Sequence, residues 1–284
     1  MYAAIGLPWI PPELREDRGE IAAALAGILP DLVDYGGLRG DLQTQTSWTD
    51  GKHSIEAMAE AARALGLEYI AITDHTRSLA MTRGSDEAKL RRQMEEIDRL
   101  NAGMRGMEGF RILKGAEVNI NRDGSLDIDD ETLAALDVVG VAVHSFFHLS
   151  RSEMTERICR AMRNPHADIL FHPTGRIIQR RDAYDVDMAE LIRTAVETGT
   201  VLEIDAFPDR LDLNDDHARR AVEAGASLVV DSDAHSTAHF PVLEYGVAVA
   251  RRAGAPRQRV LNTLPVDELL ESLKDRRARK PRRP

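Results

Sequence analysis

The sequence predicts an α/β chain whose strands run parallel and close into a barrel. Three observations carry that prediction. Seven short apolar runs recur, near Leu42 and at 69–73, 111–118, 138–143, 169–171, 201–204 and 228–230, with the length and composition of strands buried on both faces. Helical patterns separate them, the alternation that builds parallel sheets. Five runs also finish in a metal-ligand type of residue: Asp74-His75, Glu117, His144, His172, and Asp231 followed by Asp233 and His235. Parallel α/β folds place their chemistry at the carboxyl ends of the strands, so five such endings predict one shared site. Neutral imidazole and carboxylate are the usual ligands of Zn²⁺, Mn²⁺ and Fe²⁺.

The helices follow in order. Residues 1–37 carry Pro8, Pro11, Pro12 and Pro30 around one short helical pattern, Glu20 to Ile28, and read as an extension or linker. Ile55 to Leu65 ends before Gly66, a suitable C-cap. Glu87 to Met104 carries Leu90, Met94, Ile97, Leu100 and Met104 at 3–4 spacing. Ser150 with Glu153 forms a capping box opening the helix that runs to Met162 and contains Cys159. Met188 to Glu197 ends before Gly199, and Asp215 to Glu223 before Gly225. Val266 to Leu273 closes the domain, which spans 38–273. The last eleven residues, 274–284, hold seven cations and one anion; this basic tail is either solvated or a binder of phosphate backbones.

Bulk properties exclude several classes. With 284 residues, 43% of them hydrophobic, the chain suits one large α/β domain with extensions. Mean hydropathy is −0.32, and no apolar run approaches the roughly 20 residues of a membrane helix. The net charge of −10 argues against a generally basic nucleic-acid surface. One cysteine and no signal-peptide pattern suggest a cytoplasmic protein.

The run Gly40-Asp-Leu-Gln-Thr-Gln-Thr-Ser-Trp-Thr-Asp50-Gly51, then Thr73-Asp-His75, Gly115-Ala-Glu117-Val, Val143-His144-Ser, His172-Pro-Thr-Gly-Arg176, Asp209-Arg-Leu-Asp-Leu213 and Ser232-Asp-Ala-His235-Ser resemble the PHP (polymerase and histidinol phosphatase) domain. The likeness is greatest to the C-terminal PHP domain of bacterial family X DNA polymerases. It covers about 38–273, and Tyr2 to Asp17 resembles the segment joining the polymerase part to that domain. The resemblance implies a distorted seven-stranded barrel with two or three divalent ions, Mn²⁺ or Zn²⁺, with Fe²⁺ or Mg²⁺ as alternatives. Glu117, His144 and His172 would hold one ion, Asp50, His75 and His235 another. Glu117, His144 and Asp233 would carry catalysis. Arg176, Arg180 and Arg210 are candidates for phosphate contact, weighed against surface salt bridges.

The chain departs from that pattern at one motif. The family opens with His-x-His; here stand Gln43 and Gln45. A neutral amide oxygen competes poorly with imidazole for a transition metal. The site of Gln43, Gln45, Glu117 and Asp233 is therefore expected to hold its metal weakly, with the two glutamines either relic ligands or hydrogen-bonding residues. Phe171 replaces a common glycine, and Asp205 a common asparagine. His53 could rescue a site, while Asp74 and Glu203 would orient ligands.

Three functions follow from the resemblance. The first is a metal-dependent phosphoesterase acting on DNA 3′ ends, of the 3′→5′ exonuclease type, covalently linked to a polymerase domain. The second is a catalytically impaired domain that positions a polymerase on DNA. The third is a small-molecule phosphatase of the histidinol-phosphatase type. No membrane partner is expected.

Overall fold

The computed structural model describes residues 2–79, 82–103 and 109–280. Seven strands form one sheet in sequence order: β1 (Gly40–Thr44), β2 (Tyr69–Ile72), β3 (Arg111–Asn119), β4 (Val138–Ala142), β5 (Ile169–Leu170), β6 (Val201–Asp205) and β7 (Leu228–Asp231). Every neighbouring pair is parallel. The sheet curls until β1 meets β7, where Thr44 bridges Ala234 and Gln45 N donates to Ala234 O at 2.8 Å. Side chains complete this seam. Leu42 N donates to Asp231 Oδ1 at 2.8 Å, and Asn262 Nδ2 donates to Gly40 O at 2.9 Å and Val230 O at 2.7 Å. The result is the nearly closed (β/α) barrel that the alternating pattern predicts.

An alternation of period two lies inside the continuous apolar runs. Val139, Val141, Leu202, Ile204, Leu228 and Val230 face outward into the main core against the helices. Val138, Val201 and Val229 face inward with Leu42, Leu113 and Ile169. Along an inward face the chemistry changes with height: Val201 is followed by Glu203 and Asp205, Val229 by Asp231, Leu113 by Gly115 and Glu117. The barrel is thus apolar at its amino end and acidic at its carboxyl end. Gly140 and Phe171 illustrate the fit, since a Cβ on Gly140 would lie 1.8 Å from the Phe171 ring. The bulk of Phe171 sits over the one β4 position that has no side chain.

The helices are α1 (Glu20–Ala26), α2 (Ile55–Ala64), α3 (Glu87–Gly103), α4 (Asp130–Ala134), α5 (Arg151–Met162), α6 (Met188–Thr198), α7 (Asp215–Glu223), α8 (Leu243–Arg252) and α9 (Val266–Arg279). Met104, expected to end α3, lies outside the described residues. The capping box at Ser150 and Glu153 is present. The short α4 and the helix α8 are not foreseen. A single 3-10 turn at Phe240–Val242 leads into α8 without a side-chain cap, and its valines and Gly246 are poor helix formers. Gly246 is required by packing: a Cβ there would meet Val230 at 2.5 Å and Ala206 at 2.7 Å.

Helix α9 plugs the amino end of the barrel through Leu269 and Leu273 and continues past residue 273. The cationic segment expected as a tail is therefore, as far as Lys280, part of the fold. Arg277 pairs with Asp168, and Lys280 Nζ donates to Met162 O at 3.0 Å and Asn164 O at 3.3 Å, at the end of α5. Such cations complete the exposed carbonyls of a helix C-terminus. Residues 281–284 lie outside the described residues. At the other end, Glu13 pairs with Arg251 at 2.6 Å, and Val33 N donates to Ala255 O at 3.1 Å. Among the described residues, no helix is long and apolar enough to cross a membrane.

Candidate metal centre

The carboxyl ends of the strands and the loops that follow them deliver side chains to the acidic mouth. Glu117, fully buried on β3, is the hub. His172 Nε2 lies 2.8 Å and His144 Nε2 2.9 Å from its Oε1; His75 Nδ1 lies 3.4 Å from its Oε2. Asp50, at the end of the β1–α2 loop, faces His75 Nε2 and His235 Nε2, each at 3.6 Å. The imidazoles form a chain of ring contacts, His75 to His144 at 5.2 Å, His144 to His172 at 5.4 Å and His75 to His235 at 6.1 Å. Two groups, Asp50–His75–His235 and His75–Glu117–His144, have ligand atoms close enough for one ion each.

The tautomers show why these groups fit a cation. Asn119 Nδ2 donates to Thr76 O and Asp127 Oδ2, which turns Asn119 Oδ1 toward His144 Nδ1 at 2.6 Å. That carbonyl oxygen accepts, so His144 Nδ1 carries a proton and Nε2 is the nitrogen left to face Glu117. His235 repeats the arrangement: its Nδ1 donates to Asp233 O at 2.8 Å, leaving Nε2 toward Asp50. A nitrogen held against a carboxylate in this way can give up a proton and offer its lone pair to a divalent ion. His172 Nδ1 has no partner among the described residues.

Electrostatics agree. Burial opposes a charge on Glu117, yet His75 and His144 hold it well below the ordinary carboxylate range. Burial also opposes protonation of His75 and His235, but Glu117 raises the first to about 9, and Asp233 helps raise the second to about 10. Burial, with the Arg210 charge, takes His172 down to about 4. Beneath the mouth, burial raises Asp41 to about 7 and lifts Glu203, Asp205 and Asp231 well above their usual range. Backbone strain collects here as well: His172 has φ 29° and Asp233 φ 48°.

The other sequence candidates are placed differently. Gln45 Nε2 donates to Glu117 Oε2 at 2.8 Å, whereas neither amide atom of the buried Gln43 has a partner among the described residues. Asp233 Oδ1 lies 3.7 Å from His235 Nδ1. Arg210 points inward, its Nε 3.2 Å from Asp205 Oδ2 and 3.6 Å from Asp233 Oδ2. Arg176 donates to the carbonyls of Arg210 and Leu211, so it braces that loop. Arg180 stays 74% exposed in its side chain, 3.5 Å from Asp209. His53 accepts from Thr237 N at 3.3 Å and joins neither ligand group. Asp74 accepts from Thr46, Thr49 and Gln93, pinning the loop that carries Asp50. Glu203 accepts from His172 N at 2.5 Å.

Sequence reasoning misses Asn119, Asp127 and Asp41. Asn119 stands two residues beyond Glu117 on the same strand, a signal that period two offers. Asp127 lies in the loop that follows β3, where no periodic spacing marks it. Lys52, whose N donates to His235 O at 2.8 Å, is exposed at the rim.

Fold and site together define a parallel α/β barrel with a mouth whose carboxylates and imidazoles could hold metal ions. A family model described as the PHP domain matches residues 41–205. The chain is 41% identical over 273 residues to "DNA polymerase/3′-5′ exonuclease PolX" of Bacillus subtilis, a match covering 96% of this chain and 47% of that protein. It is 28% identical over 249 residues to a "probable phosphatase" of Thermoanaerobacter, covering 83% of this chain and 95% of that one. Among solved structures it is similar to histidinol phosphate phosphatase from Lactococcus lactis, complexed with zinc, L-histidinol and phosphate. That likeness has a TM-score of 0.56 at 15% identity, covers 76% of this chain and 94% of that one, and concerns the fold. The chain belongs to the PHP domain family, whose barrel is that of metal-dependent phosphoesterases.

Proposed function

We propose that this barrel hydrolyses phosphodiesters or phosphoesters at DNA 3′ ends, with Mn²⁺ or Zn²⁺ as the working ions, and that it serves as the C-terminal part of a polymerase. The observation that carries this reading is the gathering of His144 and His235 Nε2 against Glu117 and Asp50, each imidazole held by a hydrogen bond from behind. Such a donor set suits divalent cations. Bound divalent ions supply Lewis acidity toward water and toward phosphoryl oxygens. The protein's own groups do the rest. Asn119 holds the His144 tautomer, and Asp74 fixes the loop of Asp50. Glu203 holds the backbone of His172. Lys52, and Arg180 beside Asp209, are exposed at the surface where a phosphate chain could meet them. The extended similarity to the Bacillus subtilis protein supports a DNA substrate, and the chain spans about half of that relative's length.

The relatives named as phosphatases match this chain over nearly their whole length, which favours a small phosphomonoester as the second reading. One comparison separates the two. The protein with Mn²⁺ is given a 3′-labelled single strand and, separately, histidinol phosphate, each with and without chelator. Chelator-sensitive shortening of the strand supports the DNA reading. Turnover of histidinol phosphate alone supports the other, and an inert protein contradicts both.

A further inference from the structure

One corner of the cluster is built unlike the rest. Around Glu117 Oε1 and Asp50, carboxylates face imidazole nitrogens that can lose a proton to make way for a metal. In the corner of Gln45, Asp205, Arg210 and Asp233, the acids face an amide N–H and a guanidinium of the chain itself. Gln45 donates to Glu117 Oε2 at 2.8 Å; turning the amide over would set oxygen against oxygen, so the nitrogen must face the acid. The Arg210 side chain is 18% exposed, and its Nε lies 3.2 Å from Asp205 and 3.6 Å from Asp233. Its backbone is anchored too: Arg210 N donates to Phe207 O at 2.8 Å, and Arg210 O accepts from Arg176 Nε at 2.7 Å.

We propose that Arg210 is a resident cation standing where a third divalent ion would otherwise be drawn, so that this barrel takes two ions. The inference rests on the metal-centre reading above and adds its stoichiometry. A guanidinium stays charged at any working pH. Bound between Asp205 and Asp233, it supplies the positive charge their pairing requires and repels an incoming dication. Of the two glutamines, Gln45 already donates to Glu117, and Gln43 is buried with its neutral amide unpartnered among the described residues. Ligand replacement alone is then insufficient to restore a third site: histidines at 43 and 45 would still face a fixed positive charge. Arg210 acts as a positioning residue, holding Asp233 and thereby the carbonyl that sets the His235 tautomer.

The test counts ions. The full chain, stripped of metal, is titrated with Mn²⁺ by calorimetry and checked by elemental analysis after dialysis. Three proteins are compared: the unmodified chain, Gln43→His/Gln45→His, and Gln43→His/Gln45→His/Arg210→Gln. The expected counts are two, two and three, with the third ion bound about ten- to a hundredfold more tightly in the triple variant than in the double. Three tight ions in the unmodified chain, or in the double variant with Arg210 in place, overturn the proposal. No ion in any of the three overturns the metal centre itself, a different result. If circular dichroism shows the triple variant unfolded, the double variant still decides: two ions support the proposal and three refute it.

Discussion

Two sides of one cluster use the same residue types to opposite ends. On the side of Asp50, His75, His144, His172 and His235, hydrogen bonds from behind turn Nε2 of two imidazoles toward acids. On the side of Gln45, Asp205, Arg210 and Asp233, an amide N–H faces Glu117 and a fixed guanidinium stands at ion-pair distance from two acids. The first side is open, since imidazoles can lose protons and take a metal instead; the second is closed by a cation that cannot leave. Acidic residues at strand ends therefore do not by themselves make a metal site. What decides is whether the positive charge beside them can be exchanged, and the residues around the ligands set that.

The largest effect that can break this comparison is His144→Ala. Removing a ligand from the open side forfeits several kcal/mol of charge stabilisation, and metal-dependent hydrolysis should fall on the order of 10³-fold, read as initial rate at saturating Mn²⁺. A smaller loss is expected from Asn119→Ala, which touches no ion. Freed of its partner, His144 no longer holds one tautomer, and Mn²⁺ affinity should weaken about 10- to 100-fold, measured by calorimetry. Unchanged affinity would show that the hydrogen bond from behind is idle. On the closed side, Gln45→Ala loses a bond to a charged acceptor and should cost about 1.5–3 kcal/mol in metal-free denaturation. Gln43→Ala loses no bond and should cost less than its neighbour, which sharpens the contrast between the two amides.

The mildest prediction concerns pH. His75 and His235 rise from an ordinary 6.5 to about 9 and about 10 in the folded chain. Their contribution is fully present below 6.5 and is lost as pH climbs through the higher values. Asp41, raised to about 7, acts in the same direction at lower pH. Metal-free protein should therefore lose thermal stability steadily between pH 6.5 and about 10, while Mn²⁺ binding strengthens over that range because protons leave the ligands. A melting temperature that rises with pH in the absence of metal would contradict this.

The barrel was legible because seven apolar runs alternate with helical patterns in all but one of the gaps between them, and its ligands because they end those runs. Glu117, His144 and His172 needed only the strand to be extended by a residue or two to meet. The roles of Asn119 and Asp127 were hidden, since a residue that braces a ligand is chosen by three-dimensional proximity. Arg210 was weighed between a phosphate contact and a surface salt bridge, because a loop arginine after a strand suggests either. Only the burial of Asp205 and Asp233 beside it shows where its charge is spent. The cationic C-terminal segment misled for a related reason: composition records that cations are present, while the carbonyls of α5 that occupy Lys280 come from elsewhere in the chain.

The central claim is that the open side grips divalent cations through these imidazoles and carboxylates. Anomalous X-ray scattering at the manganese edge, from crystals of the full chain grown with Mn²⁺, addresses it directly. One peak should lie among Asp50, His75 and His235 and another against Glu117, His144 and His172. Crystals that show no anomalous density at either place, at Mn²⁺ concentrations supporting hydrolysis, would contradict the account.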